Sequence, residues 1–183
     1  MQRYIAFLRA VNVGGRVVKM AQLKATFESV GFANVETFIA SGNVIFSART
    51  AAIPVIVRKI ERALLDNLGY EVAVLIRTDS ELAALATRKY AVFSETEVAA
   101  AHSLSVGLLH DRPDKSAASA LATFNTDVER FGTHDREIYM LMLQPTAQST
   151  FSIKKLEKAL QADTTFRNFN TIERLVKKYP PAA

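Results

Sequence analysis

The sequence predicts an α+β fold made of two ferredoxin-like halves that pack as one body. Strand and helix patterns follow the order β-α-β-β-α-β over residues 1–78. The order β-α-β-β-α returns over residues 103–161, and two adjacent hairpins argue against a doubly wound parallel sheet. We therefore expect a first half at residues 1–78 and a second, incomplete half with a C-terminal helix at residues 79–183.

In the first half, apolar residues occupy every position from Tyr4 to Leu8, which is typical of a central strand covered on both faces. A helix is predicted next, because four apolar residues follow at helical spacing: Met20, Leu23, Phe27 and Val30. Gly31 suits the C-terminal end of this helix. Two β-favouring runs flank Ser41-Gly42-Asn43 within residues 37–46, which predicts a hairpin. Pro54 suits the first turn of the next helix, and residues 70–77 form the fourth strand.

The second half begins with a helix over about residues 80–89, and residues 94–101 fit either a short helix or a loop. The pattern continues with a strand at 104–109 and a helix after Pro113. It ends with strands near 127–131 and 137–143 and a helix at 153–160. No fourth strand is apparent. The final helix, at about 171–179, is expected to take its place or to cover the sheet.

The composition excludes several classes of protein. The chain has 183 residues and no cysteine, so it has neither a disulfide framework nor a thiolate metal site or cysteine nucleophile. No apolar run approaches the ~20 residues of a membrane span, so we expect no membrane partner and a cytoplasmic location. His102, His110 and His134 lack metal-ligand spacing, and no cofactor motif is complete.

Basic residues concentrate at both ends of the chain, which has a net charge of +5. Residues 1–31 carry +4 and residues 151–183 carry +4, whereas residues 32–150 carry −3. If the two ends meet in space, they form one basic face that attracts phosphates or other anions. The alternative is an ordinary solvated surface.

Polar residues cluster at three places that could form one ligand site. Arg9, Asn12, Gly14, Gly15 and Lys19 follow the first strand, although they do not complete the phosphate-loop signature. The central turn offers Ser41, Gly42 and Asn43, and Arg167 and Asn168 precede the last helix. We expect Gly42 to adopt a positive φ. The alternative is that these residues provide only turn chemistry and helix capping.

Several motifs in order resemble one family. They are Arg9-Ala10-Val11-Asn12-Val13-Gly14-Gly15, Lys19-Met20, Ser41-Gly42-Asn43-Val44 and Arg167-Asn168-Phe169-Asn170-Thr171. They are similar to the bacterial domain-of-unknown-function family 1697 (DUF1697), which usually has Gly at position 10 and commonly Trp at position 169. We expect Ala10 to mark a backbone conformation that does not require Gly. The resemblance implies the duplicated α+β fold and no activity.

Three functions stay open. The favoured one is a non-catalytic module whose basic groove binds nucleic acid or another polyanion, supported by the charged ends and by strand aromatics such as Tyr4 and Phe46. The second is a small-molecule or anion-binding protein, or an enzyme, with its site at the Arg9/Asn12, Ser41/Asn43 and Arg167/Asn168 motifs. The third is a protein-interaction domain in which the motifs only fix the fold.

Overall fold

The computed structural model describes residues 1–12, 17–49 and 51–181. The eight strands within these ranges are β1 (Gln2–Leu8), β2 (Ala33–Phe38), β3 (Asn43–Ala48), β4 (Val74–Thr78), β5 (Ser103–Leu108), β6 (Glu129–His134), β7 (Glu137–Met142) and β8 (Thr165–Asn168). The helices are α1 (Met20–Ser29), α2 (Ile53–Leu68), α3 (Asp79–Ala86), α4 (Glu95–Ala100), α5 (Lys115–Ala122), α6 (Ile153–Leu160) and α7 (Phe169–Lys178), with a short 3-10 helix at Thr146–Gln148.

The chain divides into two compact units. The first contains Met1–Ala83 and the residues from Tyr179 onward, and the second contains Ala84–Lys178, whereas the sequence placed a boundary after residue 78. Each unit has a four-stranded antiparallel sheet, ordered β2-β3-β1-β4 in the first and β6-β7-β5-β8 in the second. This strand order with the β-α-β-β-α-β connection is the ferredoxin-like arrangement, so the duplicated α+β fold is confirmed.

The first unit is built around β1, which pairs with both β3 and β4. Its residues from Tyr4 to Leu8 are buried on both faces, as the unbroken apolar run predicted. Beneath the sheet, Tyr4 stacks on Phe46 with ring centroids 5.5 Å apart, and Phe46 also contacts Phe32 at 4.6 Å. These strand aromatics are core residues, so they offer no exposed platform on which bases could stack.

Residues at the C-terminal end complete the first unit. The Tyr179 hydroxyl donates a hydrogen bond to Glu36 Oε2 at 2.7 Å, and its ring meets Phe38 edge-on. Arg3 Nη1 donates to the Pro180 carbonyl at 2.8 Å. These contacts explain why the chain after α7 belongs with the first unit.

The second unit corrects one detail of the sequence prediction, because its fourth strand exists. β8 pairs antiparallel with β5 and places Phe166 opposite Gly107. A Cβ atom on Gly107 would lie 2.7 Å from Phe166 Cζ, so the missing side chain makes room for the ring. Thr164 Oγ1 also donates to the Leu108 carbonyl at 3.0 Å. The second half is therefore complete, and α7 follows its last strand instead of replacing it.

One core cluster of the second unit lies between its sheet and the helices α5 and α6. Its buried members are Leu109, Leu121, Phe131, Ile138, Leu156 and Leu160. The α6 helix begins at Ser152, whose hydroxyl accepts from the Lys155 backbone N–H, and it turns Leu156 and Leu160 inward. In the part of the chain that the structure describes, no helix has both the length and the apolar character needed to cross a bilayer.

Candidate functional site

Two loops of the first unit come together at one end of its sheet. The backbone N–H of Leu8 donates to the Gly42 carbonyl at 2.8 Å, which joins the end of β1 to the β2–β3 turn. Asn12 Nδ2 donates to the Ala40 carbonyl at 3.0 Å, and Asn12 Oδ1 accepts from the Val18 N–H at 2.6 Å. We call this region, made of Arg9–Asn12, Val18–Lys19 and Ile39–Gly42, the first corner.

The two asparagines of the predicted site serve the backbone. Asn12 Nδ2 connects the two loops through the Ala40 carbonyl, and Asn12 Oδ1 accepts from Val18 within the connection between β1 and α1. Asn43 is fully buried, and its Nδ2 donates to the Phe38 carbonyl at 3.0 Å and to Ser41 Oγ at 2.8 Å. These bonds close the hairpin and hold the Ser41 hydroxyl in place. Turn chemistry therefore accounts for both asparagines, and the half-buried Ser41 remains at the surface of the corner.

Gly42 has a φ of +71°, as the turn predicted. A Cβ atom there would lie 3.1 Å from Leu8 Cβ and 3.2 Å from Val11 Cβ. Position 42 thus requires glycine for two reasons. Its backbone is left-handed, and it packs closely against Leu8 and Val11 at the end of β1.

The expectation for Ala10 is wrong. Its φ is +55°, a left-handed conformation that residues with a Cβ adopt at a cost. Asn12 at +60° and Ile39 at +50° share this conformation, and for a β-branched residue such as Ile39 it is a true outlier. Three left-handed non-glycine residues therefore lie in two loops that touch each other, and two of them, Ala10 and Ile39, are strained because only asparagine among the three tolerates this conformation well. Such clusters are common where a backbone is held for binding.

Two basic side chains belong to the first corner. Arg9 comes directly after β1 and is half-buried, and its backbone N–H donates to the Ala73 carbonyl at 2.9 Å. Lys19 is exposed at the N-cap of α1, where its carbonyl accepts from the Leu23 N–H at 3.2 Å. Gly14 and Gly15 lie outside the described residues.

The remaining predicted residues, Arg167 and Asn168, lie in the second unit. Arg167 is buried in β8, and its Nη1 donates to Thr165 Oγ1 at 2.8 Å and to the Phe166 carbonyl at 2.9 Å. Burial lowers the pKa of the Arg167 guanidinium to about 10. A shared site that joins Arg167 to Asn12 and Ser41 stays a prediction.

Asn168 is exposed on the wall of a cleft in the second unit. Its Oδ1 accepts from the Asn170 N–H at 3.0 Å, which caps the first turn of α7. The cleft has a volume of about 360 Å³, and the polar residues that line it include Lys89, Tyr90, Glu95, His102, Ser103 and Asn170. Lys89 Nζ lies 2.9 Å from Glu173 Oε1 and 5.7 Å from the centre of the Phe169 ring. Asn168 therefore has both a capping role and access to a cavity.

Sequence reasoning missed an arginine cluster in the second unit. At the turn between β6 and β7, Asp135 Oδ1 accepts from Arg112 Nη2 at 2.9 Å and from Arg112 Nε at 3.3 Å. Arg88 Nη1 lies 3.6 Å from Asp135 Oδ2. The Arg112 hydrogen bond holds the pKa of Asp135 below its ordinary value, and the positive charges of Arg136 and Arg88 add to that effect. Since these arginines come from separate segments of residues 32–150, a charge tally by segment could not reveal them.

Among the described residues, no group of three or more His, Asp or Glu side chains is arranged to hold a metal ion. His110 and His134 are both exposed in the second unit. Among the predicted site residues, the described corner contains hydroxyl, amide and basic groups, which are suited to binding an anion.

Comparison with known proteins supports the fold and the family. A solved structure, that of the conserved bacterial protein SP0830 from Streptococcus pneumoniae, is 18% identical, covers 96% of this chain and 97% of its own, and has a TM-score of 0.73. No curated protein matches the chain. The model of the family described as "Protein of unknown function (DUF1697)" matches residues 1–139. The chain therefore belongs to the DUF1697 family.

Proposed function

We propose that this protein is a non-catalytic binding module for a phosphate-bearing polyanion such as nucleic acid, and that the first corner is its contact surface. The observation that carries the proposal is the pairing of two loops with left-handed residues, Arg9–Asn12 and Ile39–Gly42, through the Asn12 side chain. A corner held in this way fixes the backbone that carries Arg9, Lys19 and Ser41, which lowers the entropy lost on binding.

Charge supports an anionic partner. Residues 1–31 carry five basic residues, among them Arg9 and Lys19, against the single acidic residue Glu28. Lys19 also stands at the N-terminus of a ten-residue helix, where the helix dipole favours negative charge. With Asn12 and Asn43 bonded to the backbone, recognition depends on the basic groups and on the Ser41 hydroxyl. Contacts of this kind bind phosphates without reading a base sequence.

Binding to a labelled, mixed-sequence single-stranded oligonucleotide over a salt series tests the proposal. We expect the affinity to fall linearly on a logarithmic salt scale, and Arg9→Ala and Lys19→Ala each to reduce the slope by about 1. Lys24→Ala is the matched control, since Lys24 is an exposed lysine on α1 that lies 3.8 Å from Glu28. Equal slopes for Lys19→Ala and Lys24→Ala would refute a contact at the first corner.

The cleft beside Asn168 favours a second candidate function, the binding of a small polar molecule. Its volume of about 360 Å³ falls within the range of small-ligand sites, and residues with amide, imidazole and ammonium groups line it from separate elements. A thermal-shift screen of nucleosides, sugars and amino acids tests it, with His102→Ala expected to remove any stabilisation. A ligand that stabilises the His102→Ala protein as much as the wild type binds elsewhere.

A further inference from the structure

The second unit has a corner that corresponds to the first. Leu109 N–H donates to the Arg136 carbonyl at 3.0 Å, just as Leu8 N–H donates to the Gly42 carbonyl in the first unit. The strand registers agree, because Leu108 pairs with Glu137 where Phe7 pairs with Asn43. We call the region His110–Arg112, Asp135–Arg136 and Arg88 the second corner. It occupies the same place in the duplicated fold as the loops that carry Arg9 and Ser41.

The connection between turn and loop differs between the two corners. In the first, the neutral Asn12 side chain joins the loop to the Ala40 carbonyl. In the second, the ion pair between Arg112 and Asp135 joins them, and Arg136 Nη1 donates to the His110 carbonyl at 3.4 Å. Two guanidinium groups, those of Arg112 and Arg88, thus contact the single carboxylate of Asp135. Glu137, the next acidic residue along the chain, is buried.

We propose that the second corner is a binding site for a phosphate group, which Arg88 and Arg112 bind together. Guanidinium groups present planar pairs of donors that match the oxygens of phosphate. The side chain of Arg112 is 74% exposed and that of Arg88 is 41% exposed, so an incoming anion can reach both. Asp135 positions the arginines and competes with the ligand for their donors. The second corner uses none of the residues of the first corner, and this proposal does not depend on the function proposed for the first corner.

The carboxylates near the second corner limit where the anion can lie. His110 and Arg112 also border a cleft of about 540 Å³ that Asp111, Asp114 and Asp163 line. These three carboxylates repel an anion inside the cleft. The phosphate therefore binds on the Arg88 side of Asp135, outside the cleft.

Calorimetric titration with inorganic pyrophosphate at low ionic strength tests this site with three variants. Arg112→Ala should weaken binding by about threefold to tenfold, a modest loss because exposed charges are partly screened. Arg62→Ala is the matched control, because Arg62 is also 74% exposed and lies 3.1 Å from a carboxylate, Asp66, yet belongs to another surface. Its affinity should equal that of the wild type. Circular dichroism melts establish that each variant is folded.

Asp135→Asn gives the decisive result. Asp135 has a φ of +54°, and asparagine tolerates this left-handed conformation, so the turn keeps its shape. Removal of the competing negative charge should strengthen pyrophosphate binding by about threefold or more. A purely structural ion pair predicts the opposite, since its loss would loosen the corner and weaken binding.

The proposal is overturned if wild-type protein shows no pyrophosphate binding, if Arg112→Ala binds as tightly as Arg62→Ala, or if Asp135→Asn fails to strengthen binding. A parallel titration with a mixed-sequence oligonucleotide identifies the source of the phosphate. Weaker binding of both ligands by Arg112→Ala indicates a nucleic-acid backbone, and weaker binding of pyrophosphate alone indicates a free phosphate compound. Arg9→Ala reports on the first corner only, so failure of one site leaves the other intact.

Discussion

Substitution of Gly42 by alanine separates the two reasons for which the first corner requires glycine. The φ of +71° costs a residue with a Cβ about 1 kcal/mol or more. The new Cβ would also lie 3.1 Å from Leu8 Cβ, 3.2 Å from Val11 Cβ and 3.4 Å from the Leu8 carbonyl oxygen. Overpacking of this kind typically costs 1–3 kcal/mol. We expect Gly42→Ala to lower the free energy of unfolding by about 2–4 kcal/mol.

Two other glycines provide matched controls. Gly31 and Gly69 have φ values of +85° and +76°, and an added Cβ at either would meet nothing within 4 Å. Alanine at those positions should therefore lower the free energy of unfolding only through the unfavourable φ, by about 1 kcal/mol. Urea unfolding followed by far-UV circular dichroism gives all three values on one scale. If Gly42→Ala lowers the free energy of unfolding no more than Gly31→Ala does, the turn does not pack closely against Leu8 and Val11. The close contact between the two loops of the first corner would then be wrong.

Three further predictions concern single side chains. Ala10→Gly should stabilise the protein by about 0.5–1 kcal/mol in the same urea assay, because glycine relieves the φ of +55°; an unchanged midpoint would contradict the strain. Hydrogen bonds from the Ser94 backbone, Arg130 and the Ser94 hydroxyl lower the pKa of Glu97 to about 2. The melting temperature of Glu97→Gln should therefore lie below that of the wild type above pH 4.5, and the two should converge as the pH falls towards 2; a constant difference would contradict this linkage. Arg167→Ala should lower the free energy of unfolding by about 2–4 kcal/mol, because it leaves a cavity and unpaired acceptors. Near wild-type stability together with a loss of anion binding would instead indicate that Arg167 binds an anion in a basic groove.

Long apolar patterns made most of the fold predictable, and short polar segments did not. β1 is apolar from Tyr4 to Leu8, a pattern that favours a buried central strand over other secondary structures. β8 has four residues, of which Phe166 alone is apolar, and its buried Arg167 gives the opposite hydropathy signal. The strand forms because Phe166 packs over Gly107, a tertiary contact that no local pattern encodes.

The candidate site was predictable only where local chemistry determines it. The positive φ of Gly42 follows from the turn itself, whereas the positive φ of Ala10 depends on how the loop meets the hairpin. Arg112 and Asp135 are 23 residues apart. Only the pairing of β5 with β7, which places Leu108 opposite Glu137, brings them together. Sequence spacing therefore identifies turns more readily than it identifies clusters.

Equivalent positions in the two units show how a duplicated fold can acquire different surfaces. Arg77 in β4 lies opposite Ile5, and Arg167 in β8 lies opposite Val106; each arginine is buried and donates Nη1 to the carbonyl of the residue before it. The edge strands β4 and β8 thus share one pattern, a buried arginine opposite the central strand. The corners have diverged, since an amide connects loop to turn in the first unit and an ion pair does so in the second. Because an ion pair responds to nearby charge and an amide does not, salt should weaken the connection in the second corner more than that in the first.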